Sequence, residues 1–73
     1  MQINEKVFYP AFSSMTEKDN FYGLLKELKG KAVRTELNYT QFYDELTIET
    51  QDGKYLYMED ADKGIPYSIE RIA

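Results

Sequence analysis

The chain has no cysteine, no histidine and no tryptophan. Without cysteine there are no disulfides and no zinc sites built on thiolates. Without histidine and cysteine, the commonest general base and the best side-chain nucleophile near neutral pH are missing. Proline and glycine are scarce, at two and four residues, so no flexible linker or low-complexity tract divides the 73 residues. No run approaches the roughly 18 apolar residues of a membrane-spanning helix, and residues 1–6 lack a basic region followed by an apolar one. These absences lead to one expectation: a single cytoplasmic domain over residues 1–73 that is not an enzyme and carries no cofactor or metal.

The remaining routes to chemistry are weak. Ser13, Ser14 and Ser68 have no base with an orienting partner in sequence. The carboxylate pairs Asp44-Glu45 and Glu59-Asp60 need a cleft to separate their pKa values, and a chain this short rarely encloses one. Asp60-Ala61-Asp62-Lys63-Gly64 resembles the start of a calcium loop. It fails where that loop needs a ligand at its fifth position (Gly64) and a glutamate at its twelfth (Arg71). The four glycines are isolated, so no phosphate loop is present.

Aromatic residues and acids are what the chain does have. Seven tyrosines and four phenylalanines supply large side chains for a small core. The net charge of −4 is concentrated in residues 44–62, where seven acids and one base give −6. Such a field repels nucleic acid and attracts basic surfaces.

Apolar periodicity predicts an α+β domain with element order β-α-β-β-β: one helix packed on an antiparallel sheet of about four strands. Ile3, Val7 and Tyr9 alternate over residues 3–9, before Pro10. Ser14 and Glu17 form a capping box for a helix over roughly 15–29, with Phe21, Leu24, Leu25 and Leu28 as its apolar stripe and Gly30 as its stop. Gly23, in mid-helix, reads as close packing against the sheet or as the approach of a partner's backbone. Over residues 32–39, Val33, Thr35, Leu37 and Tyr39 share one face, which predicts a half-buried strand. A final strand is expected over 65–72. The expected core is Phe21, Leu24, Leu25, Leu28, Val33, Leu37, Leu46, Ile48, Leu56, Met58 and Ile69.

Residues 43–60 carry the hairpin signal, centred on Asp52-Gly53. A three-residue loop with Gly53 in a left-handed bulge pairs Ile48 with Leu56 and Leu46 with Met58. That register segregates the aliphatics onto one face, whereas a two-residue turn spreads them over both. Thr47, Glu49, Tyr55 and Tyr57 then form the outer face, flanked by Glu45 and Glu59.

Tyrosine offers large contact area with a polar tip, and carboxylates around it steer basic partners. The expected partner-binding residues are therefore Phe42, Tyr43, Asp44, Glu45, Glu49, Tyr55, Tyr57, Glu59, Asp60 and Asp62. The expected function is a small acidic inhibitor or adaptor that docks on a basic protein surface, one that normally holds nucleic acid. By type it is like phage-encoded inhibitors of host nucleases and defence systems, with no direct nucleic-acid or membrane binding. The alternatives are a homo-oligomeric ligand-binding protein with tyrosine-lined inter-subunit pockets, or a structural subunit of a larger complex.

Overall fold

The computed structural model describes residues 7–8 and 15–73. It has one helix and an antiparallel sheet, with elements in the order β1 (Val7–Phe8), α1 (Met15–Lys31), β2 (Arg34–Tyr39), β3 (Tyr43–Thr50), β4 (Gly53–Asp60) and β5 (Pro66–Arg71). The class is α+β, and the sheet order is β1-β5-β4-β3-β2. Of the expected N-terminal strand, only Val7 and Phe8 are described, paired with Ile69 and Ser68. The capping residue Ser14 lies outside the described residues.

Helix α1 buries the stripe read from its sequence. Phe21, Leu24, Leu25 and Leu28 pack on Ile48 of β3, Tyr55 and Tyr57 of β4 and Ile69 of β5, with Ala32 and Leu46 at the margin. Lys31 ends the helix, one residue past Gly30, and pairs with Glu27 at 3.0 Å. Gly23 is exposed, and a Cβ there meets nothing within 4 Å among the described residues, so close packing on the sheet does not explain it.

The hairpin departs from the expected register. Thr50 pairs with Gly53, Ile48 with Tyr55 and Leu46 with Tyr57, around a two-residue loop, Gln51-Asp52. Gly53 is therefore the first residue of β4. Neither loop residue has positive φ. Side chains hold the turn instead. The Thr50 hydroxyl accepts from the Asp52 N–H at 3.2 Å and donates to the Gly53 carbonyl at 3.1 Å. From β5, the Arg71 guanidinium donates to the Asp52 carbonyl at 2.7 Å.

This register turns the tyrosines inward. Tyr55 and Tyr57 are only 3% and 5% exposed, the reverse of the outward placement expected for them. Each buries an apolar ring and keeps a partner for its polar or π surface. The Tyr57 hydroxyl donates to Glu59 Oε2 at 2.9 Å, and its ring lies 5.9 Å from Lys29 Nζ. The Arg71 guanidinium sits 5.9 Å from the Tyr55 ring. Leu56 and Met58 consequently lie on the opposite face, half-buried rather than in the core.

Strand β2 is the second departure. Val33 and Leu37 were expected in the core but are 63% and 53% exposed, and Tyr39 is 71% exposed. The cause is width. Five strands at about 4.8 Å spacing place the edges about 19 Å apart, while a helix with its side chains is about 10 Å across. Helix α1 covers β3, β4 and β5 and leaves β2 at the edge outside its cover.

Candidate interaction face

One face of the sheet carries α1; the other carries no helix among the described residues. The ladder pairs arrange that second face in rows running across the strands. Nearest the β3–β4 turn are Arg34, Glu49 and Lys54, directly opposite one another in sequence + − +. Next come Glu36, Thr47, Leu56 and Glu70, and then Asn38, Glu45, Met58 and Ser68. The last row is Tyr43 with Asp60.

The first row nearly neutralises itself. It borders an open hollow of about 200 Å³ lined by Arg34, Thr35, Glu36, Thr47, Glu49 and Lys54. That volume lies below the roughly 300 Å³ at which ligand pockets begin, and the lining is polar where such pockets are mainly apolar. The middle rows differ in character. Leu56 and Met58 are successive outer residues of β4, half-buried, with Glu36, Glu45, Glu70 and Asp60 around them. Asn38 Nδ2 donates to Glu45 Oε1 at 3.0 Å, which holds one of those carboxylates in place.

A bulge shapes the far end. The β4–β5 register shifts between Met58 and Glu59, so that Met58 pairs with Ser68 but Glu59 with Pro66. Tyr67 is the extra residue, and its ring lies 4.9 Å from that of Tyr43. Desolvation and the neighbouring Tyr67 raise the Tyr43 pKa above the usual phenolic value. Ser68, beside the bulge, is fully buried, and its hydroxyl finds no hydrogen-bond partner among the described residues.

The ten residues expected to bind a partner are thus divided. Tyr43, Glu45, Glu49 and Asp60 lie together on the helix-free face. Tyr55 and Tyr57 are buried on the helix side with Glu59, and Asp44 points to that side as well. Phe42 is exposed in the loop between β2 and β3, where the Thr40 hydroxyl donates to the Tyr43 carbonyl at 2.8 Å and closes the turn. Asp62 is exposed in the Asp60–Gly64 turn. There Asp60 Oδ1 accepts from the N–H groups of Asp62 and Lys63 at 2.9 and 3.0 Å, and Gly64 closes the turn at φ 67°. That geometry explains Asp60 as a turn former.

Five residues of the apolar centre, its acidic rim and the tyrosine pair were not among those expected: Leu56, Met58, Glu36, Glu70 and Tyr67. The signal available for the first two was alternation with Tyr55 and Tyr57. It points both ways until the helix shows which face it covers. Comparison with protein-family models, with curated proteins and with solved structures finds no match for the chain. Among the described residues, no helix is long and apolar enough to cross a membrane.

Proposed function

We propose that the chain is a non-catalytic binding module of the cytoplasm, an inhibitor or adaptor that docks the helix-free face of its sheet on a basic protein surface. One observation carries this reading: Leu56 and Met58 sit side by side at the centre of that face, with carboxylates from β2, β3, β4 and β5 around them. An apolar centre inside a charged rim is the usual anatomy of a protein contact. The rim is acidic, which selects a partner rich in arginine and lysine and disfavours phosphate backbones. The tilted Tyr43–Tyr67 pair at one end offers ring faces on which a guanidinium can stack. Partners of this chemistry include proteins whose basic surface otherwise holds nucleic acid.

The reading is tested by affinity capture from the source cell at low and high salt, with the wild type beside Leu56→Lys and Glu45→Lys/Glu70→Lys. The expected result is a protein captured at low salt, weakened at high salt and lost with both variants. Capture that survives both variants, or is indifferent to salt, overturns the proposal.

A further inference from the structure

Strand β2 ends the sheet, and all six of its residues are exposed. Exposed edges are usually blunted by lysine, proline or a bulge. Strand β2, Arg-Thr-Glu-Leu-Asn-Tyr, has no lysine and no proline, and its pairing with β3 runs without a register shift. Its free backbone can be assigned. The Thr40 N–H donates to the Tyr43 carbonyl at 2.9 Å, so by alternation the even-numbered residues of β2 bond to β3. Thr35, Leu37 and Tyr39 therefore direct their N–H and C=O groups outward. Their side chains lie on the helix side of the sheet, where Leu37 and Tyr39 stand largely in solvent.

We infer that β2 pairs antiparallel with β2 of a second copy, about a two-fold axis through Leu37, joining two sheets of five strands into one of ten. A two-fold axis normal to the sheet allows only registers in which a residue meets one of the same face. Four such registers are centred on an interior residue of the strand, Thr35, Glu36, Leu37 or Asn38. Centring on Asn38 pairs only residues 37–39 of each copy, against 35–39 for Leu37. Centring on Glu36 opposes two like carboxylates directly. Centring on Thr35 requires Val33 to bond outward, but its N–H is already donated to the Glu49 carbonyl at 2.8 Å. Centring on Leu37 opposes Leu37 to its copy and Thr35 to Tyr39, and every outward-facing pair is free to form both of its backbone bonds. On the other face it sets Glu36 against the Asn38 amide and opposes no like charges. Backbone, apolar and charge complementarity thus agree on one register and on one occupant, the chain itself.

The absence of cysteine makes the register measurable, because a single introduced thiol has no competitor in the chain. Sedimentation of the wild type should show a monomer–dimer equilibrium, and Leu37→Lys should leave monomer alone with an unchanged circular dichroism spectrum. Under mild oxidation, Leu37→Cys should cross-link on the order of tenfold faster than Glu36→Cys or Thr35→Cys. Directly opposed Cα atoms lie about 5.5 Å apart, within disulfide reach, whereas the diagonal and more distant pairs start at about 7 Å. Glu45→Lys/Glu70→Lys should dimerise like the wild type, which keeps this result separate from docking on the helix-free face. A wild type that stays monomeric at the highest soluble concentration overturns the inference, as does faster cross-linking at position 36 or 35.

Discussion

Strands β2 and β4 look alike as patterns and differ completely as structure. Each places two bulky residues at alternate positions, Leu37 and Tyr39 in β2 and Tyr55 and Tyr57 in β4, on the helix side of the sheet. In β4 those residues, Tyr55 and Tyr57, are almost wholly buried; in β2, Leu37 and Tyr39 stand largely in solvent. Alternation therefore identifies the two faces of a strand without saying whether either is covered. Cover depends on position. Strand β4 is the centre of the sheet, between β5 and β3, beneath a helix about 10 Å across, and β2 lies beyond that width.

Truncation is the largest test of this contrast. Tyr57→Ala removes a buried ring that packs beneath α1 and a hydroxyl bonded to Glu59, and should lower unfolding free energy by about 3–5 kcal/mol. A domain of this length has only roughly 3–5 kcal/mol from one core, so the variant should be largely unfolded at 25 °C. Leu37→Ala, the matching change in β2, should cost no more than about 0.5 kcal/mol in the monomer. Urea melts of the two variants at low protein concentration make the comparison. Equal losses would show that β2 is covered as β4 is.

The hairpin turn gives the next effect. A Cβ on Gly53 falls 2.7 Å from the Ala73 carbonyl oxygen and 2.9 Å from the Arg71 guanidinium. The carbonyl is backbone and accepts from the Lys54 N–H at 3.1 Å, so the strand must shift to make room. Gly53→Ala should cost about 1–3 kcal/mol, the usual penalty for overfilling a packed site. Amide exchange should accelerate at Lys54 and Ile72 before it does so in α1. Unchanged exchange at those amides would remove the close approach as the reason for this glycine.

Much of the fold was legible because it rests on local chemistry. Phe21, Leu24, Leu25 and Leu28 repeat at helical spacing, and that stripe is the buried one. The α+β class followed from periodicity in the same way, while the expected order β-α-β-β-β is one strand short, because four strands follow the helix. The hairpin register was not legible, because what fixes it is remote. Arg71 reaches the Asp52 carbonyl from 19 residues away, and no local turn rule anticipates such a bond. The preference for aliphatic segregation also misjudged tyrosine. Its ring is as good a core filler as leucine once Glu59 receives the hydroxyl. The candidate face inherits that error: Tyr43, Glu45, Glu49 and Asp60 were named, while Leu56 and Met58 were assigned to the interior.

The Tyr57 hydroxyl supplies a pH test of the same burial. Desolvation, with the Glu59 carboxylate beside it, raises its pKa above the ordinary phenolic value. The folded state therefore holds the proton more tightly than the unfolded chain does. The stabilisation is complete below the unfolded value of about 10 and is lost as pH rises beyond it. Tyr57→Phe should cost about 1 kcal/mol at neutral pH, the net value of one hydrogen bond, and should flatten the alkaline fall in stability. It should not abolish that fall, because the raised pKa of Tyr43 acts with the same sign. A wild-type stability that is flat above pH 10 would contradict a buried, hydrogen-bonded hydroxyl.

A stabilising change separates folding from binding at a position the core leaves alone. Gly23 is exposed in mid-helix, and its missing Cβ faces open space among the described residues. Gly23→Ala should therefore stabilise the domain by about 0.8–1 kcal/mol, the difference in helix propensity between the two residues. The gain arises mainly in the unfolded chain, where alanine has fewer conformations to lose, so no contact of the folded state need change. A melt that rises while partner capture and dimerisation stay constant places function on the sheet, away from α1. A melt that rises while capture is lost would mean that a partner's backbone approaches the helix at Gly23, and would move the docking surface from the helix-free face to the helix itself.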